Sequence, residues 1–279
     1  MRIDCHVHVT PPDISANWEK YAQNEPYFSL ISRSKVNKFA SAEDVITMLD
    51  NNNFDKAVVF GFAFRDTGLC RYVNDYVIEK VKEFSKRLIG FAVTAAGKDS
   101  EKEINRCFNA GLKGVGELFP QRQEFALENK KETETITEAC KNMDIPLLLH
   151  ANEGVGHFYP GKTDISLKQL ETFVINNPEL KIIFAHFAGG LLFYETMKEI
   201  KKNFTNVYYD ISGAPFLYDY RIYNMIKALG ICDRILFGSD FPILSPSRYF
   251  GDFEKSGLSG EETQNILCEN AKRILKIQM

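Results

Sequence analysis

The sequence alternates between two kinds of segment about eight times over its 279 residues. Short apolar runs rich in β-branched residues are each followed by a longer segment with helical periodicity. The apolar runs predict strands over 1–9, 55–61, 87–93, 112–118, 145–150, 180–186, 206–211 and 233–239. The periodic segments predict helices over 41–52, 72–86, 99–110, 132–143, 166–176, 191–203, 217–229 and 261–277. Nearly continuous apolar strands are typical of parallel strands that are buried on both faces.

Eight strand–helix units in about 250 residues predict an α/β fold, a (β/α)8 barrel of the TIM type. An open, doubly wound sheet is the alternative, but no G-x-G-x-x-G sequence follows any predicted strand. No linker or low-complexity segment divides the chain, so we expect residues 1–279 to form a single domain. Ser41 and Asp44 predict a capping box, and Gly111 and Gly230 lie where helices should end.

Composition and charge exclude several classes of function. The net charge of −3 gives no basic surface, so we expect a small-molecule substrate and no nucleic-acid or membrane partner. The six cysteines form no C-x-x-C pair, and we expect reduced thiols. No signal peptide and no run of membrane-spanning length is visible, so we expect a cytoplasmic protein, monomeric or a homo-oligomer.

Residues 10–40 form the one irregular stretch, with adjacent prolines, the only tryptophan and several other aromatic residues. We predict a long loop here, because no strand or helix pattern covers it. Loops of this length in a compact domain are usually functional or mobile. Two roles stay open: a lid over the substrate, or an insertion that packs against the rim of the barrel.

Four of the five histidines fall at the ends of predicted strands. His6 and His8 alternate with apolar residues in the first strand, so both side chains should point into the barrel. Two buried imidazoles without partners would be costly, whereas one divalent ion at about 2.1 Å would use both. His150 and His186 end the fifth and sixth strands. Because such strand ends meet at one mouth, the placement predicts a metal centre.

Two carboxylates belong to the same convergent set. Glu117 ends the fourth predicted strand and Asp240 ends the eighth. Lys113 lies at the start of the fourth strand, too deep to reach the mouth. A metal centre built from several elements in this way is the usual arrangement of a catalytic site, while a structural zinc would be closed by four protein ligands.

The ordered set resembles the amidohydrolase superfamily, and within it the second family, the metal-dependent hydrolases related to aminocarboxymuconate-semialdehyde decarboxylase. The similarity spans essentially the whole chain, and the ordered set is more specific than the first histidine pair alone. It is carried by His6, His8, His150, His186 and Asp240 in this order, by the stretch 236–242 and by the ending 268–275.

The resemblance implies one or two divalent metals at the mouth, with zinc the first expectation. His6, His8, His150 and Asp240 match the ligands of a single-metal site, and His186 matches a second-metal ligand or a residue that polarises substrate or transfers a proton. Many two-metal relatives use a carbamylated lysine at the end of the fourth strand, where this chain has Glu117. Two roles for Glu117 stay open: a ligand that bridges two cations, or a carboxylate that orients a histidine.

The resemblance implies a hydrolase that uses a metal-activated water to cleave an amide, lactone or ester bond. We expect Asp240 to take the proton of that water and His186 or a metal to polarise the carbonyl. The first alternative is a metal-dependent decarboxylase, which needs one metal and an arginine for the carboxylate. A nuclease of the TatD type is the second, although it would need a basic mouth. A non-catalytic barrel with a structural zinc is the third.

Several residues outside the ligand set are candidates for substrate binding. Arg65 and Arg122 follow the second and fourth strands and would suit a carboxylate or phosphate, with a surface ion pair as the alternative for each. Asn152 and His157 lie on the loop after the fifth strand, and a solvated loop residue is the alternative for His157. The further candidates Asp210 and Ser212 either line the pocket or hold His186 in place.

Overall fold

A computed structural model of the chain describes residues 1–35 and 39–277. Eight parallel strands pair in chain order, each with the next. Every strand lies inside its predicted range but is shorter, because the predicted ranges include flanking residues outside the ladder. The strands are β1 (Ile3–His8), β2 (Lys56–Phe60), β3 (Leu88–Ala92), β4 (Gly114–Leu118), β5 (Leu147–Leu149), β6 (Ile182–Phe184), β7 (Val207–Asp210) and β8 (Ile235–Leu236).

The sheet closes on itself through the residues that follow β8. The Cys5 backbone N–H donates to the Phe237 carbonyl at 2.7 Å, and the His8 N–H donates to the Phe241 carbonyl at 2.8 Å. The Asp240 N–H donates back to the His6 carbonyl at 3.0 Å. The predicted (β/α)8 barrel is confirmed, and this seam brings the end of β1 against Asp240.

Helices surround the barrel, with short helical turns between some of them. In the described ranges the α-helices are α1 (Pro12–Ala16), α2 (Trp18–Tyr21), α3 (Pro26–Ser32), α4 (Ala42–Asn52), α5 (Thr67–Glu83), α6 (Ser100–Asn109), α7 (Lys130–Met143), α8 (Leu167–Asn176), α9 (Lys198–Asn203), α10 (Ala214–Leu217), α11 (Arg221–Leu229), α12 (Ser247–Lys255), α13 (Gly260–Gln264) and α14 (Asn270–Leu275). Segments of 3₁₀-helix cover His186–Thr196 and Cys232–Arg234, and one π-helical turn covers Asn265–Glu269.

Four predicted helices differ from the observed ones. Predicted helix 191–203 is wrong in its first part, where a 3₁₀ segment is kinked by left-handed backbone at 187–190. Predicted helix 217–229 is interrupted because Tyr218 is extended between α10 and α11. The π-helical turn divides predicted helix 261–277. Helix α5 begins five residues before the prediction, since the Asp66 side chain caps it by accepting from the Leu69 N–H at 2.7 Å. Helix α12 was not predicted.

The prediction of an irregular loop over 10–40 is wrong for residues 12–32, which contain α1, α2 and α3. Part of that prediction, 36–38, lies outside the described residues. The buried carboxylate of Glu25 accepts the backbone N–H groups of Arg65 and Asp66 at 3.1 and 2.8 Å. These bonds attach the inserted helices to the loop after β2, which places them at the rim of the barrel.

Local sequence signals elsewhere hold as predicted. Ser41 and Asp44 form a capping box at the start of α4, and Gly230 ends α11 in the left-handed region at φ 68°. The six cysteines are free thiols, five of them buried. Within the described ranges, no helix combines the length and the apolarity that crossing a membrane requires.

Candidate metal centre

The register of β1 sets the first part of the centre. Alternation along the strand puts Asp4, His6 and His8 on the inner face, and the apolar neighbours face outward against helices. His6 is fully buried, while 18% of the His8 side chain reaches solvent. Their Nε2 atoms lie 3.3 Å apart, so both imidazoles are directed at the same point.

Two triads of ligand atoms meet at the mouth of the barrel. The first is His6, His8 and Asp240, and the second is Glu117, His150 and His186. The Asp240 Oδ1 atom lies 3.6 Å from His6 Nε2 and 3.4 Å from His8 Nε2. The structure thus brings together all six residues that the sequence nominated as ligands.

Glu117 lies between the two triads. Its Oε2 atom is 3.5 Å from the Nε2 atoms of both His6 and His8. Its Oε1 atom is 3.0 Å from His150 Nδ1 and 3.7 Å from His186 Nε2. Burial opposes ionisation of this carboxyl, but the charge of His6 and the hydrogen bond from His150 hold the pKa of Glu117 well below its usual range. Both roles predicted for Glu117, bridging ligand and histidine orienter, are compatible with these contacts.

The donor spacing suits one divalent cation. A tetrahedral ion with bonds of about 2.0–2.2 Å separates its donors by about 3.3–3.6 Å. The five measured separations among His6, His8, Asp240 and Glu117 Oε2 span 3.3 to 3.6 Å. The buried Nε2 atom of His150 has no hydrogen-bond partner among the described residues, so its lone pair is a further candidate metal ligand. Imidazole and carboxylate donors in this set therefore fit a metal.

A second layer of contacts fixes the histidine tautomers. Asp210 Oδ2 lies 2.8 Å from His6 Nδ1. Burial alone would raise the pKa of Asp210, but the contact with His6 outweighs this effect and lowers the pKa. With a cation bound, His6 would be neutral, and the ionised carboxylate would keep its one proton on Nδ1 and turn the Nε2 lone pair toward the ligand set. The Ser212 carbonyl accepts from His186 Nδ1 at 2.8 Å, so His186 Nε2 also presents a lone pair. Of the two predicted roles, the structure places Ser212 against His186 and Asp210 mainly against His6.

We expect Asp210→Asn to weaken metal binding by about 10–100-fold, the usual effect of removing a carboxylate behind a ligating histidine. Titration against a competing chelator measures this change. Asp233→Asn is the matched control, because it makes the same change at an exposed carboxylate before β8 and its effect should stay within about 3-fold. Equal losses in the two variants would contradict the assigned role of Asp210.

Asp4 is a buried residue of the site that the sequence analysis did not single out. Its Oδ1 atom accepts from the backbone N–H groups of Ser239 and His6 at 2.9 and 3.2 Å. Burial raises the pKa of Asp4 to about 7, although these hydrogen bonds oppose the rise. Asp4 therefore joins β1 to the segment after β8 beneath the ligands. Its even position in β1, shared with His6 and His8, is the signal that could have revealed it.

Close backbone approach is required at Gly238, in the segment after β8. A Cβ atom added there would lie 2.7 Å from the Cβ atom of His6, a separation that carbon atoms in proteins do not tolerate. The side chain of Asp210 is also near, with its Cβ 3.5 Å away. Only glycine therefore allows His6 to occupy its observed position.

We expect Gly238→Ala to displace His6 and to lower both metal affinity and turnover at least ~10-fold, because catalytic geometry is sensitive to shifts of about 1 Å. Gly251→Ala on α12 is the matched control, since nothing lies within 4 Å of the added atom. Metal content after dialysis and kcat/KM measure the effect. A Gly238→Ala protein indistinguishable from Gly251→Ala would refute it.

The four predicted substrate-binding residues occupy different environments. Arg65 forms an ion pair with Glu124, which is the alternative that the sequence analysis gave for it. It also donates a hydrogen bond to the Asn24 carbonyl at 2.8 Å. Asn152 is buried and exchanges hydrogen bonds with Thr163, so it braces its loop. His157 is exposed on that loop. Arg122, on the loop after β4, donates to the Lys162 carbonyl at 2.7 Å, and its guanidinium group lies over the ring of Tyr27.

Aromatic rings form a wall beside the ligand set. Phe119 stacks on His150 with ring centroids 4.2 Å apart and an angle of 17°. Phe62 lies parallel to Phe119 at 6.0 Å, and the ring of Tyr27 packs on Phe119 at 4.9 Å. From the sequence, Tyr27 belongs to the stretch 10–40, for which a lid was one of two roles, but it was not among the substrate-binding candidates. The wall gives the mouth a flat apolar side next to the metal ligands.

The chain matches a known protein family and has the same fold as several solved structures. A family model described as amidohydrolase matches residues 3–277. A protein from Staphylococcus aureus that is described as an amidohydrolase has a similar structure. It is 20% identical over 99% of both chains, with a TM-score of 0.74. Dihydroxybenzoic acid decarboxylase from Polaromonas sp. JS666, with bound manganese, is 17% identical over 99% of this chain and 96% of that one, TM-score 0.73. 5-Carboxyvanillate decarboxylase from Sphingomonas paucimobilis is 14% identical over 99% of both chains, TM-score 0.76.

Proposed function

Because the chain belongs to the amidohydrolase family, we propose that it is a metal-dependent decarboxylase acting on a small, flat carboxylic acid. The observation that carries the proposal is a donor set spaced for one cation beside an aromatic wall. Manganese is bound in the decarboxylase from Polaromonas, and decarboxylation is also the activity named for the protein from Sphingomonas. A planar substrate would lie against the aromatic wall with its polar groups at the donor set.

The residues that would hold the cation are His6, His8 and Asp240, together with Glu117 or His150. When bound, the cation supplies positive charge that polarises the oxygen atoms of the substrate. Zinc and manganese both accept imidazole and carboxylate donors. Zinc, the metal expected from the sequence, is therefore one of two candidate ions. The centre stays reachable from solvent, since 18% of the His8 side chain and 10% of the Asp240 side chain are exposed. This access favours a catalytic centre over a closed structural one.

Two side chains are placed to handle protons. Loss of CO2 breaks a carbon–carbon bond and leaves an electron pair that must take up a proton. Asp240, at the exposed side of the donor set, would take a proton from a substrate hydroxyl or from solvent and deliver it to the carbon that has lost CO2. His186, whose Nδ1 donates to the Ser212 carbonyl, would accept a hydrogen bond at Nε2 and so orient a substrate hydroxyl.

A metal-dependent hydrolase of an amide, lactone or ester is the second candidate. It is favoured by one specific observation: the two oxygen atoms of Glu117 face different triads, which suits a carboxylate shared by two cations. The nuclease alternative gains nothing comparable, because Arg65 is already paired with Glu124 and Arg122 alone does not form the basic surface that a nucleic acid requires. The hydrolase would activate water with Asp240 as its base.

Metal content and product analysis on one preparation test the proposal. Protein loaded with Mn²⁺ or Zn²⁺ is incubated with hydroxybenzoic acids and, separately, with aromatic lactones and esters. We expect about one metal per chain and release of CO2 from an acid. Two metals per chain, with hydrolysis of a lactone or ester and no CO2, would favour the hydrolase and contradict the decarboxylase.

A further inference from the structure

The buried side chain of Gln123 ties together three of the loops that follow the barrel strands. Its Oε1 atom accepts the backbone N–H of Phe119, in the loop after β4, at 3.0 Å. Its Nε2 atom donates to the carbonyl of Phe64, after β2, at 2.8 Å and to the carbonyl of Thr94, after β3, at 2.9 Å. Loops beyond the strand ends have no sheet ladder between them, so this side chain supplies bonds that the sheet does not.

A primary amide suits this position for a chemical reason. It is neutral and offers one acceptor oxygen and two N–H donors, and Gln123 uses all of them on backbone groups. Reversing the amide would place its NH2 group against the Phe119 N–H and its oxygen against two carbonyls, so the contacts also fix its orientation. A carboxylate of the same size would place negative charge against the carbonyls of Phe64 and Thr94.

The backbone of Phe119 is held entirely by the turn that contains Gln123. The Phe119 carbonyl accepts from the backbone N–H groups of Arg122 and Gln123 at 3.0 and 2.8 Å, while the Phe119 N–H donates to the Gln123 side chain. Phe119 is itself buried. Without the amide, its N–H would be a buried donor with no partner, which is costly enough to move the residue.

Phe119 carries this constraint to a candidate metal ligand. Its ring lies face to face with the His150 ring, with centroids 4.2 Å apart and 17° between the planes. In its own plane, His150 is held by Glu117, whose Oε1 atom lies 3.0 Å from His150 Nδ1. A hydrogen bond in the plane and a stacked ring on the face together fix the tilt and the rotation of the imidazole.

We propose that Gln123 is a positioning residue of the metal centre. Its side chain holds Phe119 against His150 and so sets the direction of the His150 Nε2 lone pair. Gln123 acts through Phe119 and contacts none of the six candidate ligands itself. The proposal rests on the proposed function only in taking His150 as a ligand of the cation. A change at residue 123 therefore alters the centre although every ligand is kept.

A double-mutant cycle on Mn²⁺ affinity tests the proposed route from Gln123 to His150. Gln123→Met keeps the size of the side chain and removes its three hydrogen bonds, and Phe119→Leu removes the stacked ring. Each change should lower Mn²⁺ affinity about 10-fold, as measured against a competing chelator, the lower end of the effect of groups behind a ligand. The double variant should lose no more than either single variant, because both changes break one chain of contacts.

The imidazole NMR signals of the Zn²⁺-loaded protein give a readout that a purely structural role would not move. The chain has five histidines, so histidine labelling gives five sets of ring signals, and comparison with His150→Ala assigns those of His150. Gln123→Met should shift the His150 signals in the same direction as Phe119→Leu, which removes the ring current of the stacked ring. Gln169→Met is the matched control, because the Gln169 amide is also hydrogen-bonded but caps α8. Its His150 signals should stay unchanged.

Unchanged His150 signals in Gln123→Met, or additive losses of Mn²⁺ affinity in the double variant, would overturn the proposal. An equal shift in Gln169→Met would also overturn it, because the effect would then be one of general destabilisation. If Gln123→Met does not fold, Gln123→Glu replaces it and should shift the same signals, since its carboxylate is repelled by the carbonyls of Phe64 and Thr94. Neither readout uses a substrate, so a protein that passes both but releases CO2 from no acid would contradict the proposed function alone.

Discussion

Replacing His8 by alanine should abolish stoichiometric metal binding while leaving the fold intact. The His8 Nε2 atom lies 3.3–3.5 Å from three other donors of the set, so its removal opens one corner of the ligand tetrahedron. We expect metal affinity to fall at least ~10³-fold, beyond the 10–100-fold that changes behind the ligands produce. Turnover should fall with it. His8 is preferable to His6 for this test, because removing His6 would also remove the imidazole that pairs with the buried Asp210.

Metal analysis after exhaustive dialysis and circular dichroism of the same samples measure this effect. His157→Ala is the matched control, since it makes the same change at an exposed loop histidine. We expect that variant to keep the metal content of the wild-type protein. Full metal content in His8→Ala would remove His8 from the centre and contradict the ligand set on which the proposed function rests.

Replacing Asp240 by asparagine should reduce kcat at least ~10²-fold with metal still bound. The change keeps the shape and one oxygen donor of the side chain but removes its capacity to hold and deliver a proton. Because the lost interaction belongs to the reaction rather than to substrate binding, kcat and kcat/KM should fall together. Steady-state kinetics on metal-quantified protein measures the ratio.

Asp233→Asn provides the control on the same part of the chain. Asp233 is exposed and lies just before β8, at the end of the barrel opposite Asp240. We expect its kinetics to match those of the wild-type protein. If Asp240→Asn turned over at near-native rates, Asp240 would be a metal ligand without a proton-transfer role, and His186 would become the candidate for that step.

The fold was largely predictable because its strands carry two independent signals. Runs such as 147–149 and 182–184 are short, apolar and buried, and each is followed by a helical pattern. Repeating that unit eight times leaves few ways to bury every strand, and the closed barrel is the simplest. Helix ends were less predictable, because left-handed backbone at Phe187 and Ala188 depends on tertiary packing rather than on local preference.

The ligand set was predictable for a geometric reason. Polar side chains at the ends of parallel strands must converge at one edge, so His150 and Glu117 could be paired across 33 residues without a structure. The family assignment that the same residues suggested is confirmed by the match over residues 3–277. Metal identity, metal count and substrate stay predictions, since they depend on distances of a few tenths of an ångström and on the loops.

Apart from Asp4, which shares the alternating pattern of β1 with His6 and His8, the residues that sequence reasoning missed lie where no periodic pattern exists. Tyr27 belongs to a seven-residue helix that starts at Pro26 in the inserted segment, and nothing local directs it toward the mouth. The contacts of Glu25 with the loop after β2 attach that segment to the rim, and such contacts between distant segments leave no trace in composition. The substrate-facing side of the mouth is therefore the part that required a structure.

The most direct test of the account is a crystal structure of the Mn²⁺-loaded protein with anomalous diffraction data. We expect one anomalous peak bound by His6, His8 and Asp240 at about 2.0–2.4 Å, with at least one solvent ligand on the open side. A protein with full Mn²⁺ content but no peak among these side chains would contradict the assignment of the centre. A cation enclosed by four side chains with no solvent ligand would contradict its catalytic role.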